Sequence, residues 1–170
     1  MTSAADGPFH FKLIVFNIEK PQNVGMLMRT AYAFGCSELL VVGKKKFKVT
    51  GASHAHRVLP WRHFYHLEEA VAHCRAAGCR ILGIEIGGTW LTEKRFDHHV
   101  AFILGNEGKG ISDAAGFCDQ LISIPQWRGM PSLNVAAAGA LVMFEFQRQQ
   151  GLPFAEVDGQ RFYDNNFHLE

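Results

Sequence analysis

Residues 11–16 are almost uniformly apolar and rich in β-formers, a pattern that predicts a strand buried on both faces. From Asn23 the period changes. Val24, Leu27, Met28, Ala31 and Phe34 recur at helical spacing, with Pro21 before them and Gly35 after. Residues 39–42 form a second apolar run, ended by Gly43. Residues 67–77 read as an amphipathic helix capped by Gly78. Residues 81–86 read as a strand stopped at Gly87 and Gly88, and residues 100–104 as another that enters a glycine-rich turn. Ser112 is expected to begin a short helix, and residues 121–124 a strand closed by Pro125. Residues 133–147 form a long helix that is apolar nearly all round, which implies burial on most faces.

Strands that are apolar runs rather than alternations, interleaved with helices, indicate an α/β fold: a mostly parallel sheet with helices on both faces. One domain is expected over residues 11–150, with an N-terminal extension (1–10) and a polar tail (151–170). Sheets of this kind take ligands in the crevice beyond the carboxyl ends of their strands. Three loops of unusual composition, residues 17–23, 105–112 and 125–134, fall at that edge.

A chain of 170 residues buries a core without disulfide or metal staples. No apolar run is long enough for a transmembrane helix, and the first residues lack the basic and apolar regions of a secretory signal. The four cysteines form no CxxC pair and read as buried free thiols in a reducing compartment, so the cytoplasm is expected. A net charge of +1 makes no case for a nucleic-acid partner, but its distribution does. Lys44, Lys45, Lys46, Lys48, Arg57 and Arg62 share a window without any acidic residue, so a +6 segment sits on a body of −5.

The turn at 105–110 resembles a phosphate loop but fits neither the dinucleotide-binding nor the Walker pattern. Its central Glu107 puts a carboxylate at a strand end. Asn23 suits an N-cap, Arg29 lies outside its helix's apolar stripe, and Ser132 and Asn134 flank the start of the last helix, with Ser132 as its expected cap. Each polar residue has a structural explanation, and their joint placement at one sheet edge points to a site. Four histidines (His54, His56, His98, His99) lack a third ligand at a recognisable spacing, so no metal is expected.

Three segments, in order, resemble the motifs of the TrmH/SpoU branch of the SPOUT methyltransferases. Pro21-Gln-Asn23-Val-Gly25-Met-Leu-Met-Arg29-Thr-Ala31 is similar to motif 1. Phe102-Ile-Leu-Gly105-Asn-Glu107-Gly108-Lys-Gly110-Ile-Ser112 is similar to motif 2, and Ile124-Pro125-Gln-Trp-Arg-Gly129-Met-Pro-Ser132-Leu-Asn134-Val-Ala to motif 3. Gln126 and Trp127 depart from the family, which more often shows Met after Ile-Pro.

The resemblance implies a deep C-terminal trefoil knot, a homodimer, and S-adenosylmethionine as methyl donor, leaving as S-adenosylhomocysteine. It implies methylation of a ribose 2′-hydroxyl in tRNA or rRNA, without membrane or metal. Cofactor contacts would come from Ile84, Glu85, Leu104, Gly105, Asn106, Gly108, Ile124, Pro125, Gly129 and Leu133. Arg29 would take the central catalytic role, with Asn23, Glu107, Ser132 and Asn134 orienting it and the ribose. Motif 1 follows the first strand directly, leaving no room for the N-terminal RNA-binding domain of larger relatives. The 44–62 window is therefore the expected RNA grip, with Trp61, Phe64 and Tyr65 as stacking groups. Two alternatives stand beside this: a knotted RNA-binding or ribosome-assembly factor without methyl transfer, and a relative acting on a base.

Overall fold

The computed structural model describes residues 10–43, 51–106 and 108–151, and among them six strands and four α-helices occur. In chain order they are β1 (His10–Phe16), α1 (Pro21–Ala33), β2 (Glu38–Val42), α2 (Ala55–Val58) and β3 (Trp61–Phe64). There follow α3 (Leu67–Ala76), β4 (Arg80–Trp90), β5 (His99–Leu104), β6 (Gln120–Ser123) and α4 (Val135–Gln150). The strands form one sheet in the order β3-β2-β1-β5-β4-β6, and every pairing is parallel. All carboxyl ends therefore open on the same edge.

Side-chain alternation along the strands splits the core in two. Phe11, Leu13 and Val15 of β1 and Phe102 and Leu104 of β5 face α1 and α4, where Leu27, Met28, Met143 and Phe146 close the layer. Ile14, Leu40, Ala101 and Ile103 face the other way, against Leu67, Ala70, Val71 and Cys74 of α3. Helices thus cover both faces, as the uninterrupted apolar runs required. The four cysteines are free thiols, three buried and Cys118 half-buried. No helix among the described residues is long and apolar enough to cross a membrane.

Several expectations are corrected. β1 begins at His10, inside the expected extension. The basic segment, which has no clear period and reads as a loop with a short strand, holds the edge strand β3 and in addition a short helix, α2. Gly87 and Gly88 do not end β4. The strand bulges there, with Ile84 and Thr89 both registering on Ile122 of β6. Gly88 is what lets the two strands approach, since a Cβ would lie 2.3 Å from the Leu121 carbonyl oxygen. Ser112 starts no α-helix; the chain makes turns and a single 3-10 turn at Ala115–Phe117. The last helix is capped by Asn134, not Ser132: Asn134 Oδ1 accepts from the amides of Ala136 and Ala137 at 2.9 and 3.2 Å. Asn23 is no cap either. It lies within α1 and is buried, while Lys20 occupies the cap position, where its side chain does not cap the helix.

Candidate cofactor cavity and the basic edge

The bulge in β4 and the turn after β5 build the site together. Gly105 leaves β5 so close to the returning chain that a Cβ would meet the Gly110 carbonyl oxygen at 2.1 Å, and Gly110 itself has φ of 60°. Glycine is required at both. The side chain of Asn106 knits the turn, its Oδ1 accepting from the amides of Gly108 and Lys109 at 2.8 and 2.9 Å. Its Nδ2 donates to Asn17 O and Glu19 Oε1, both at 3.0 Å, which ties the turn to the β1–α1 loop. Glu85, carried on the bulge, accepts from Ile86 N through Oε1 and from Ile111 N through Oε2, each at 2.9 Å. A carboxylate holding two backbone amides makes strong charge-assisted bonds. Glu85 is therefore the brace of the turn.

Above this brace lies a cavity of about 480 Å³, within the range of small-molecule sites. Among the residues expected to hold a cofactor, Ile84, Glu85, Leu104 and Gly105 line it, as do Asn106, Gly108, Ile124 and Leu133. Pro125 and Gly129 do not. Sequence reasoning missed Ile86, Ile111, Gln126, Val135 and Ala138, which also line it. The bulge that turns Ile86 inward has no signal beyond its two glycines. Apolar walls at Ile84, Leu104, Ile124 and Leu133 beside polar Asn106, Gln126 and Ser132 suit a flat heterocycle on a polar sugar. The glycine cradle suits close backbone approach to it.

The expected catalytic set is only partly assembled. Asn134 Nδ2 donates to Asn23 Oδ1 at 3.3 Å, joining the first and last motifs. Ser132 lines the cavity. Arg29 is exposed on the outer face of α1 and is not a lining residue. Met26 and Tyr32, three residues to either side of it on α1, are exposed apolar groups, as are Leu141 and Phe144 on α4. Glu107 lies outside the described residues.

Of the expected RNA-binding residues, Lys44, Lys45, Lys46 and Lys48 also lie outside the described residues. Arg57 is exposed, and so are Trp61 and Tyr65 on or beside the edge strand β3. Arg62 is exposed but committed, its Nε donating to buried Glu38 at 2.6 Å. Lys12 and His73 converge on the same carboxylate at 2.5 and 2.7 Å. Burial pushes the Glu38 carboxyl up, but the bonds from Lys12, His73 and Arg62 outweigh it and hold it at about 2.

The model of the SpoU rRNA methylase family matches residues 10–144. An uncharacterized tRNA/rRNA methyltransferase of Mycobacterium avium is 28% identical over 157 residues, covering 88% of this chain and 51% of its own. The SpoU methyltransferase AviRb of Streptomyces viridochromogenes, solved with the cofactor AdoMet, aligns with a TM-score of 0.75 at 27% identity. The alignment covers 84% of this chain and 58% of that one. A structure solved to explain 2-OH methylation of C/U34 on tRNA aligns with a TM-score of 0.71 at 25% identity, over 85% of this chain and 98% of that one. The chain spans about half the length of the curated relatives it matches.

Proposed function

Because the chain belongs to the SpoU rRNA methylase family, we propose that it methylates a ribose 2′-hydroxyl of tRNA or rRNA with S-adenosylmethionine. The observation that carries this reading is the cavity at the carboxyl ends of β4, β5 and β6, built from the second and third motifs. Ile84, Leu104, Ile124 and Leu133 would hold the adenine, and the backbone around Gly105 and Gly108 the ribose. When bound, the cofactor supplies an electrophilic methyl group on a sulfonium.

The protein's task is to align a 2′-oxygen with that methyl and to stabilise the charge that develops as the hydroxyl proton leaves. Arg29 is the proposed stabiliser: a guanidinium stays protonated and so acts by charge and position rather than as a base. Ser132, on the cavity wall, orients the hydroxyl. Asn134 is already bonded to the backbone of α4 and to Asn23, so these two act as positioning residues. Glu107 completes the set by its place in the second motif.

Arg29 is not a lining residue of the cavity within one chain, and exposed apolar side chains lie on α1, which carries it, and on α4. A homodimer built on that face would bury Leu141 and Phe144 and enclose Arg29 at the seam. The proposal includes the C-terminal trefoil knot of the family, a cytoplasmic location, and an RNA grip made by the lysine segment with Arg57 and Trp61. Calorimetric titration with S-adenosylmethionine, followed by transfer of labelled methyl to total tRNA and rRNA, tests the reading. Binding and transfer are expected. A protein that binds RNA but not the cofactor would instead be an assembly factor.

A further inference from the structure

A second cavity of about 480 Å³ lies across the turn from the first. Phe16, Asn17, Glu19 and Val42 line it from the ends of β1 and β2 and the loop into α1, and Lys109 and Asp113 close it. Sheet order runs from β1 through β2 to β3 in one direction and from β1 to β5 and β4 in the other. The cavity stands at that reversal, where open parallel sheets ordinarily bind ligands. The cofactor cavity, over β4 to β6, leaves this crevice for another group. Asn106, Lys109 and Gly110 line both, so the two share a wall.

The rim is preorganised. Asn17 has φ of 52°, a sparsely populated region for a residue other than glycine. Its side chain lies against Gly43, where a Cβ would come within 2.1 Å of Asn17 Oδ1. Asn106 holds the same loop at Asn17 O and Glu19 Oε1. A loop held by Asn106 at a cavity mouth is preorganised for binding.

Glu19 and Asp113 are exposed at this cavity and repel a phosphate, but they accept hydrogen bonds from N–H groups. Half-buried Phe16 and Ile18 and buried Val24 supply apolar wall. A mainly polar slot with apolar wall at Phe16, Ile18 and Val24 and carboxylates at its edge matches a nucleobase, whose exocyclic amino group is the natural partner of a carboxylate, as at cytosine N4. Uracil turns a carbonyl oxygen to the same position and meets like charge. Lys109 lies on the shared wall, the side toward which the sugar and its phosphate would lie.

We propose that this cavity receives the base of the acceptor nucleotide, turned out of the RNA, and that Glu19 and Asp113 select a base bearing an exocyclic amino group. The inference rests on the methyltransferase reading, because the shared wall would bring that nucleotide's ribose beside the cofactor.

The test uses RNA from cells lacking the protein, labelled by the enzyme with methyl-tritiated S-adenosylmethionine and digested to nucleosides. The wild type is expected to label 2′-O-methylcytidine, adenosine or guanosine, not 2′-O-methyluridine. The double variant Glu19→Gln, Asp113→Asn is expected to lower transfer at least tenfold while its Kd for S-adenosylmethionine and its circular dichroism stay unchanged. Label in 2′-O-methyluridine, or transfer by the double variant within twofold of wild type, overturns the proposal and leaves the methyltransferase reading intact. Absence of label in every RNA with the wild type removes that reading and the proposal with it.

Discussion

Asn134 donates to Asn23 across 111 residues of chain, while its own side-chain oxygen caps α4. One amide thereby fixes both the start of α4 and a buried polar group in α1. Removing it leaves the Ala136 and Ala137 amides without their cap. Asn134→Ala is expected to cost about 1 kcal/mol, a drop in Tm of about 2–4 °C for a chain of this size. Asn134→Asp keeps the cap but cannot donate to Asn23. It should recover part of the lost Tm in a thermal melt, short of wild type because a carboxylate then faces Asn23 Oδ1, and leave methyl transfer impaired, which separates the two roles.

Glu85 holds the cavity's floor through the amides of Ile86 and Ile111. In Glu85→Gln, one of these amides faces an NH2 group instead of an acceptor. Affinity for S-adenosylmethionine is expected to fall at least tenfold by calorimetry. A Kd within twofold of wild type would show that the turn keeps its shape without the brace.

Glu38 makes stability depend on acid. Its carboxyl is lowered from the ordinary 4.5 to about 2 by its three basic partners, so the folded state binds the proton more weakly than the unfolded chain. Its contribution is complete above about pH 4.5 and is lost as pH falls toward 2. Urea midpoints measured between pH 2 and 7 should fall less steeply on the acid side for Glu38→Gln. Parallel curves would mean the buried network carries no net linkage.

Replacing Lys44, Lys45, Lys46 and Lys48 by Gln should weaken RNA binding and flatten its dependence on salt, because each lost phosphate contact releases fewer counterions. Filter binding across a salt series measures the slope. An unchanged slope would make the segment a solvated loop.

Much of the fold was legible in the residue pattern because the sheet is buried on both faces. Apolar runs such as residues 11–16 and 39–42 have no exposed side to confuse them, and the helical period around Leu27 and Met28 is clear. What the pattern missed depends on neighbours distant in the chain. Gly88 looks like a stop until Leu121 is seen against it, and Glu85 has no local partner that would mark it as a brace. Ser132 and Asn134 are equally good caps on paper, and the choice between them rests on Asn23. Most of the cofactor cavity followed from the motif loops. The loops that line the second cavity were legible at the same edge, but not the bonds from Asn106 to Asn17 and Glu19 that join them across the sheet.

Ribose methylation is tested most directly by alkaline hydrolysis of the labelled RNA. Alkaline cleavage needs a free 2′-hydroxyl, so a 2′-O-methyl group protects its own phosphodiester. Wild-type protein should leave the tritium in alkali-resistant dinucleotides, and Arg29→Ala, binding S-adenosylmethionine normally, should leave none. Tritium released as mononucleotides would place the methyl on a base and contradict the ribose as acceptor.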